Sequence, residues 1–189
     1  LQTATYQVKQ RDLASLVLTV YDRKESKKAG DYKKTQIVFG DEAYRNQKLK
    51  AGRDYEITSF SVSSNTETPK AGATVTIAIK GLGNYSGTKT ASYRIIDGKK
   101  DIGKAKVKIN GGKAYSYLAG AVVPTSGQIS VILNKQTVNK SETNGYEILG
   151  CYNNVDKGTA VLVLRGTDSY NGIKVVKYRI GSRKVTDWF

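Results

Sequence analysis

One motif in this chain occurs twice at a constant spacing. Gly81, Tyr85, Gly87, Lys89, Tyr93, Arg94 and Ile95 return 85 residues later as Gly166, Tyr170, Gly172, Lys174, Tyr178, Arg179 and Ile180. Self-similarity at a fixed period marks a tandem array. A chain of 189 residues has room for one or two domains. The repeat selects two, each of roughly 90 residues, enough for a small β-sandwich with a usable core.

The repeated stretch reads as strand, turn, strand. Val75, Ile77 and Ile79 alternate with Thr74, Thr76 and Ala78, which predicts one buried face. In the second copy Val161-Leu162-Val163-Leu164 is apolar throughout. That predicts burial on both faces or a packed neighbour. Gly81 and Gly166 end the first strand, where a turn wants a residue free of Cβ strain. Tyr85 and Tyr170 sit in the connection, where a ring can cover the core end and a hydroxyl can bond backbone, as in the tyrosine corner of sandwich domains. The final strand sets Tyr93 and Ile95, and Tyr178 and Ile180, on one face. Arg94 and Arg179 fall on the other.

The pattern extends through the chain. Ala4–Val8 has the pattern of the closing strands and is expected to be the last strand of a preceding repeat, or an N-terminal strand. Arg11–Val20 and Lys100–Ile109 each read as the opening strand of a repeat. Lys104, Lys106 and Lys108 alternate with Ala105, Val107 and Ile109, so the lysines share a face that shields a sheet edge. The charged segment 21–34 reads as an exposed loop, and 41–49 as a short helical turn. Tyr55-Glu56-Ile57 matches Tyr146-Glu147-Ile148. The loops that follow differ in length, as surface loops do. Expected boundaries are 1–8 for the preceding strand, 9–98 for repeat 1, 99–182 for repeat 2 and 183–189 for a tail. The fold expected is all-β, two tandem Ig-like β-sandwich domains. The alternative is a small, mostly-β, β-grasp-like domain with one short helix.

Composition narrows the chemistry. The chain has no histidine and a single cysteine, Cys151. It therefore lacks the commonest general base and metal ligand, and no internal disulfide can form. Cys151 lies in an alternating run and is expected to pack as a small hydrophobe. No segment is long and apolar enough to span a membrane as a helix. The absence of an initiating methionine reads as a piece of a larger protein. The net charge of +15 suits a solvated lysine-rich surface or attraction to anionic polymers.

Together, Leu49, Gly52, Asp54, Tyr55, Gly72, Gly81, Gly83, Asn84, Tyr85, Gly87, Thr88, Tyr93 and Ile95 carry a recognisable motif. Its shape is Leu-x-x-Gly-x-Asp-Tyr, an Asn-rich loop, a Gly-led run of alternating apolar residues that ends Ile-x-Gly-x-Gly-Asn-Tyr-x-Gly-Thr, then Tyr-x-Ile or Phe-x-Ile. Tyr146, Tyr152, Asn153, Asn154, Gly158, Gly166, Tyr170, Gly172, Tyr178 and Ile180 carry it in repeat 2. The motif resembles the tandem Ig-like repeats of Gram-positive, Clostridia-type bacterial surface proteins. Repeat 2 departs from it at Thr167-Asp168-Ser169, and repeat 1 by its basic 21–34 segment. The resemblance implies secretion, a cell-surface or cell-wall location, and use as a spacer or adhesive module. It supplies no catalytic residues.

The remaining motifs are weak. Gly81–Gly87 approaches a dinucleotide fingerprint, but its spacing is one residue too long and a strand follows instead of a helix. The acidic residues form no repeated pair of the kind a glycosidase uses. Asp12, Asp101, Asp54 and Glu56 read as turn or solvated residues. No catalytic, metal or cofactor residue is assigned. Tyr32, Tyr44, Tyr152 and Trp188 fall in loops or tails and are the candidates for a ligand contact, with core or joint coverage as the opposing reading. The expected function is non-catalytic, a structural or adhesive repeat module. The alternative is a carbohydrate-binding accessory module of an extracellular polysaccharide-degrading enzyme. The expected partners are neighbouring repeats and an anionic wall polymer or glycan, with nucleic acid disfavoured.

Overall fold

The computed structural model describes residues 9–39 and 49–182. Repeat 1 contributes β1 (Arg11–Asp12), β2 (Leu18–Val20), β3 (Arg23–Lys24), β4 (Ile37–Phe39), β5 (Tyr55–Val62), β6 (Thr74–Gly81), β7 (Tyr85–Ser86) and β8 (Thr88–Ile96). Repeat 2 contributes β9 (Lys106–Ile109), β10 (Tyr115–Ser116), β11 (Ile129–Leu133), β12 (Gln136–Thr137), β13 (Asn144–Tyr152), β14 (Gly158–Asp168) and β15 (Ile173–Gly181). The helical pieces among the described residues are 3-10 turns of three residues, so the protein is all-β. The strand expected at 4–8, most of the 41–49 segment and the 183–189 tail lie outside the described residues.

The larger sheets share one plan. Their strand orders are β3-β8-β6-β5 and β10-β15-β14-β13. The long strands pair antiparallel, and the short edge strand pairs parallel with the closing strand, Arg23 beside Ile95 and Tyr115 beside Ile180. Smaller sheets, β2-β4 and β12-β11-β9, complete each half.

Each half buries its own core. Val20 and Phe39 of the small sheet meet Val75, Ile77, Ile79, Tyr93 and Ile95 of the large one. Ile109, Val131 and Leu133 likewise meet Leu162, Leu164, Tyr178 and Ile180. The alternation in β6 has the expected result: Val75, Ile77 and Ile79 are each 0% exposed, with Thr76 and Ala78 on the other face.

The opening strands are shorter than their alternation suggests. Leu13–Ser15 and Ile102–Lys104 form 3-10 turns, and β2 starts only at Leu18. The cause is a cap. The Asp12 carboxylate accepts from the Ala14 N–H at 2.9 Å, and Asp101 from the Gly103 N–H at 2.8 Å. These turns swing Leu13 and Ile102 fully into the cores. Lys104 therefore belongs to a turn, while Lys106 and Lys108 stay exposed on β9, which pairs only with β11 among the described strands. That placement fits edge protection.

The repeated hairpin clasps the capped turn. β1 lies parallel to β7, and Asp101 bridges Asn171 in the same way. Lys89 Nζ donates to the carbonyls of Ala14 and Leu16 at 2.9 and 2.7 Å, and Lys174 Nζ to that of Gly103 at 3.0 Å. Gly87 and Gly172 have φ of 78° and 81°. A Cβ at either would collide with the capping carboxylate of Asp12 or Asp101. The recurrence of these two glycines thus has both a steric and a conformational cause.

The 21–34 segment is more than a loop. It supplies edge strand β3 and a 3-10 turn over Asp31–Lys33 that inserts Tyr32 into the core, 6% exposed. The Tyr93 hydroxyl donates to the Tyr32 carbonyl at 2.6 Å, and the Tyr178 hydroxyl to the Val122 carbonyl at 2.6 Å. A buried hydroxyl-to-backbone bond of the kind expected of Tyr85 and Tyr170 is made by the closing-strand tyrosines. Tyr85 and Tyr170 pack half-buried against the cores.

Three outcomes are expected. Tyr93→Phe and Tyr178→Phe each leave a buried carbonyl without its donor and lower stability by about 1–3 kcal/mol in urea unfolding. Burial raises both phenols well above their ordinary range. The unfolded chain therefore releases these protons first, and stability falls as pH climbs through about 10; the double Phe variant shows a shallower alkaline loss. Gly87→Ala costs at least about 1–2 kcal/mol from its left-handed backbone alone, and the Asp12 collision adds to this.

Candidate functional site at the inter-repeat joint

The all-apolar run in β14 has two destinations. Leu162 and Leu164 face the core of repeat 2. Val161 and Val163 point outward and join Ile173 in a separate buried cluster, flanked by Tyr152 and Val175. Tyr21 of repeat 1 packs onto that cluster. The expectation of a packed neighbour for Val161–Leu164 is met, and the neighbour is the preceding repeat.

Beside Tyr21, the Asp22 carboxylate is 3% exposed. Its Oδ1 accepts from the Arg94 backbone N–H at 2.9 Å. Its Oδ2 accepts from the Arg94 guanidinium at 2.9 Å and, across the joint, from the Gly172 N–H at 3.1 Å. Arg94 Nη2 also donates to the Gly166 carbonyl at 3.1 Å. A buried carboxylate needs such partners to offset desolvation. Here they come from both repeats and include the recurring hairpin glycines.

The linker is tied down as well. Asn171 donates its backbone N–H to the Lys100 carbonyl at 3.0 Å and its side-chain amide to Asp97 at 3.2 Å. The Lys99 backbone N–H, with help from Asn171, holds the Asp97 carboxyl below the usual range. The joint also carries costs. Lys24 of repeat 1 meets Lys104 of repeat 2, and that contact lowers the Lys24 pKa. Arg94 Nε and Asn171 Oδ1 are buried without a protein partner.

A cleft of about 500 Å³ opens along the joint. Asp22, Arg23, Lys24, Glu25, Asp31 and Asp101 line it together with Tyr21, Ile96 and Ile173. Arg23 pairs with Asp31 at 3.2 Å. The Lys34 ammonium, first among several neighbours, lowers the Asp31 pKa. Among the described residues no three of His, Cys, Asp and Glu gather as a metal-binding group.

Of the four aromatic candidates, the two among the described residues lie in different clusters, Tyr32 in the core of repeat 1 and Tyr152 at the joint. Tyr32 is a core residue, edge-on to Phe60 at 6.2 Å with the Lys33 ammonium 5.5 Å from its ring centroid. Tyr152 packs half-buried in the joint cluster, and burial raises its pKa. Tyr44 and Trp188 lie outside the described residues. Cys151 packs half-buried against the core of repeat 2, with its thiol pKa raised by burial. Sequence reasoning missed Tyr21 and Asp22, which sit in a segment whose charge reads as solvated loop. The outward valines of β14 were the signal that something must cover them.

No family model, curated protein or solved structure matches the chain.

Asp22→Ala removes the acceptor for three donors and leaves the half-buried Arg94 guanidinium without its counter-ion. We expect a loss of about 1–3 kcal/mol, read as a lower thermal midpoint for the full chain.

Proposed function

We propose that this chain is a pair of Ig-like repeats from a secreted bacterial surface protein, and that it works without catalysis as a spacer and contact module. The observation that carries this reading is the joint. The buried Asp22 contacts and an apolar outer cluster on β14 and β15 are spent on holding consecutive repeats together. A protein built to set distances needs that more than it needs a reaction centre.

Several features support the same reading. The resemblance of the repeated motif to Gram-positive surface repeats suggests the Ig-like class and the extracellular setting. Two facing sheets over one core in each half suit a sandwich. The lysine-rich exterior suits contact with an anionic wall polymer or glycan through long-range attraction. The candidate tyrosines Tyr32 and Tyr152 are engaged in packing, which favours a spacer over a sugar-stacking module.

A glycan array combined with affinity electrophoresis tests this. The expected result is no saccharide-specific binding, and retention on teichoic acid that vanishes as salt rises, because exposed charges are screened. Saccharide binding that Tyr152→Ala abolishes would replace this reading with the carbohydrate-binding one.

A further inference from the structure

We infer that the joint is a matched docking pair, specific to the order repeat 1 then repeat 2, which locks these two repeats into one rigid unit. The inference rests on the repeat reading and goes beyond the spacer role, because it assigns stiffness to this junction and denies the same contacts to both outer faces of the pair.

The docking side is found by register. Arg23 stands beside Ile95, and Tyr115 beside Ile180. Ile95 and Ile180 are repeat equivalents, so Tyr21 and Asp22 correspond to Lys113 and Ala114. Ala114 has no carboxylate to take a neighbour's N–H, and Lys113 is an exposed cation in place of an aromatic ring. Arg179, the equivalent of Arg94, is exposed. At the register-equivalent positions, repeat 2 therefore lacks both the ring and the acceptor that repeat 1 presents.

The receiving side differs in the complementary way. Val161, Val163, Ile173 and Val175 correspond, at the same spacing of 85, to Thr76, Ala78, Thr88 and Thr90. Thr88 and Thr90 are exposed, and the Thr76 hydroxyl is hydrogen-bonded to that of Ser92 at 2.9 Å. Repeat 1 thus presents a polar face where repeat 2 has a buried apolar one. A burial-driven contact needs the apolar version, and the Asp22 clasp needs its carboxylate. Among the described residues each component is present once, on the two surfaces that meet. A second copy of either repeat, placed at the other end, would find neither. The partner that the Tyr21–Asp22 surface fits is a sheet face with outward aliphatics beside a hairpin glycine N–H.

Backbone 15N relaxation on the full chain tests this. In the unaltered protein, amides of both repeats should fit one rotational diffusion tensor. The double variant Tyr21→Lys/Asp22→Ala installs the repeat 2 residues at the docking side. It should split the fit into two shorter, independent correlation times, while core amides such as Ile77 and Leu162 keep their shifts. Val161→Thr/Val163→Ala attacks the receiving side and should release the halves in the same way, which covers the case where one variant disturbs its own repeat. Thr76→Val should change nothing. Independent tumbling of the unaltered chain, or single-body tumbling of both double variants, overturns the proposal. A glycan-specific result in the array would remove the spacer reading and leave this one standing.

Discussion

Each repeat is held closed by one local arrangement, a carboxylate trapped between a turn and a hairpin. Asp12 and Asp101 cap the opening turns, and the hairpin glycines Gly87 and Gly172 lie so close that no side chain fits between. Lys89 and Lys174 then bind the carbonyls of the same turns. The start of a repeat is thereby fastened to its end, some 75 residues away along the chain. This fixes where the closing strand runs. The closing strand in turn places Tyr93 and Tyr178, whose hydroxyls anchor the crossing segments over the cores. It also places Arg94 against Asp22. Without the capped turn, neither the core seal nor the joint would have its geometry.

Much of this plan was legible in the sequence because it is periodic or repeated. The alternation in β6 announced its buried face, and the unbroken apolar run in β14 announced a second contact surface. The recurrence of glycine, tyrosine and lysine marked the hairpin before its partners were known. The misreadings share a cause: they involve residues whose partners are distant. The opening strands looked continuous because Asp12 and Asp101 act as caps only when the hairpin arrives beside them. The 21–34 segment looked like solvated loop because its charges outnumber Tyr21 and Tyr32. Asp22 finds its partners 72 and 150 residues away, and no local pattern records that. The tyrosines Tyr93 and Tyr178, eight residues beyond those singled out in the hairpin, carry hydroxyl bonds that only the folded chain brings into reach.

The exposed edges follow the logic expected of repeats that live side by side. β5 and β13 end their sheets, and each carries a register shift at the same place, between Ile57 and Ser59 and between Ile148 and Gly150. Such a bulge bends a strand and spoils it as a template. β9 presents Lys106 and Lys108 instead. The two repeats therefore meet through side chains that reach each other and the hairpin backbone, and not by pairing these edge strands.

The grip of Asn171 on the linker has a mechanical meaning. Its backbone and its amide hold the chain at Lys100 and at Asp97, on either side of the few residues that connect the repeats. The segment therefore carries no slack. If, as proposed, the repeats belong to a longer array, a pull along it would load these two bonds and the Asp22 clasp together before the linker could straighten. In that setting extension would begin by parting the junction as a unit, and the connection would act as a stiff strut at low force that yields in a single step.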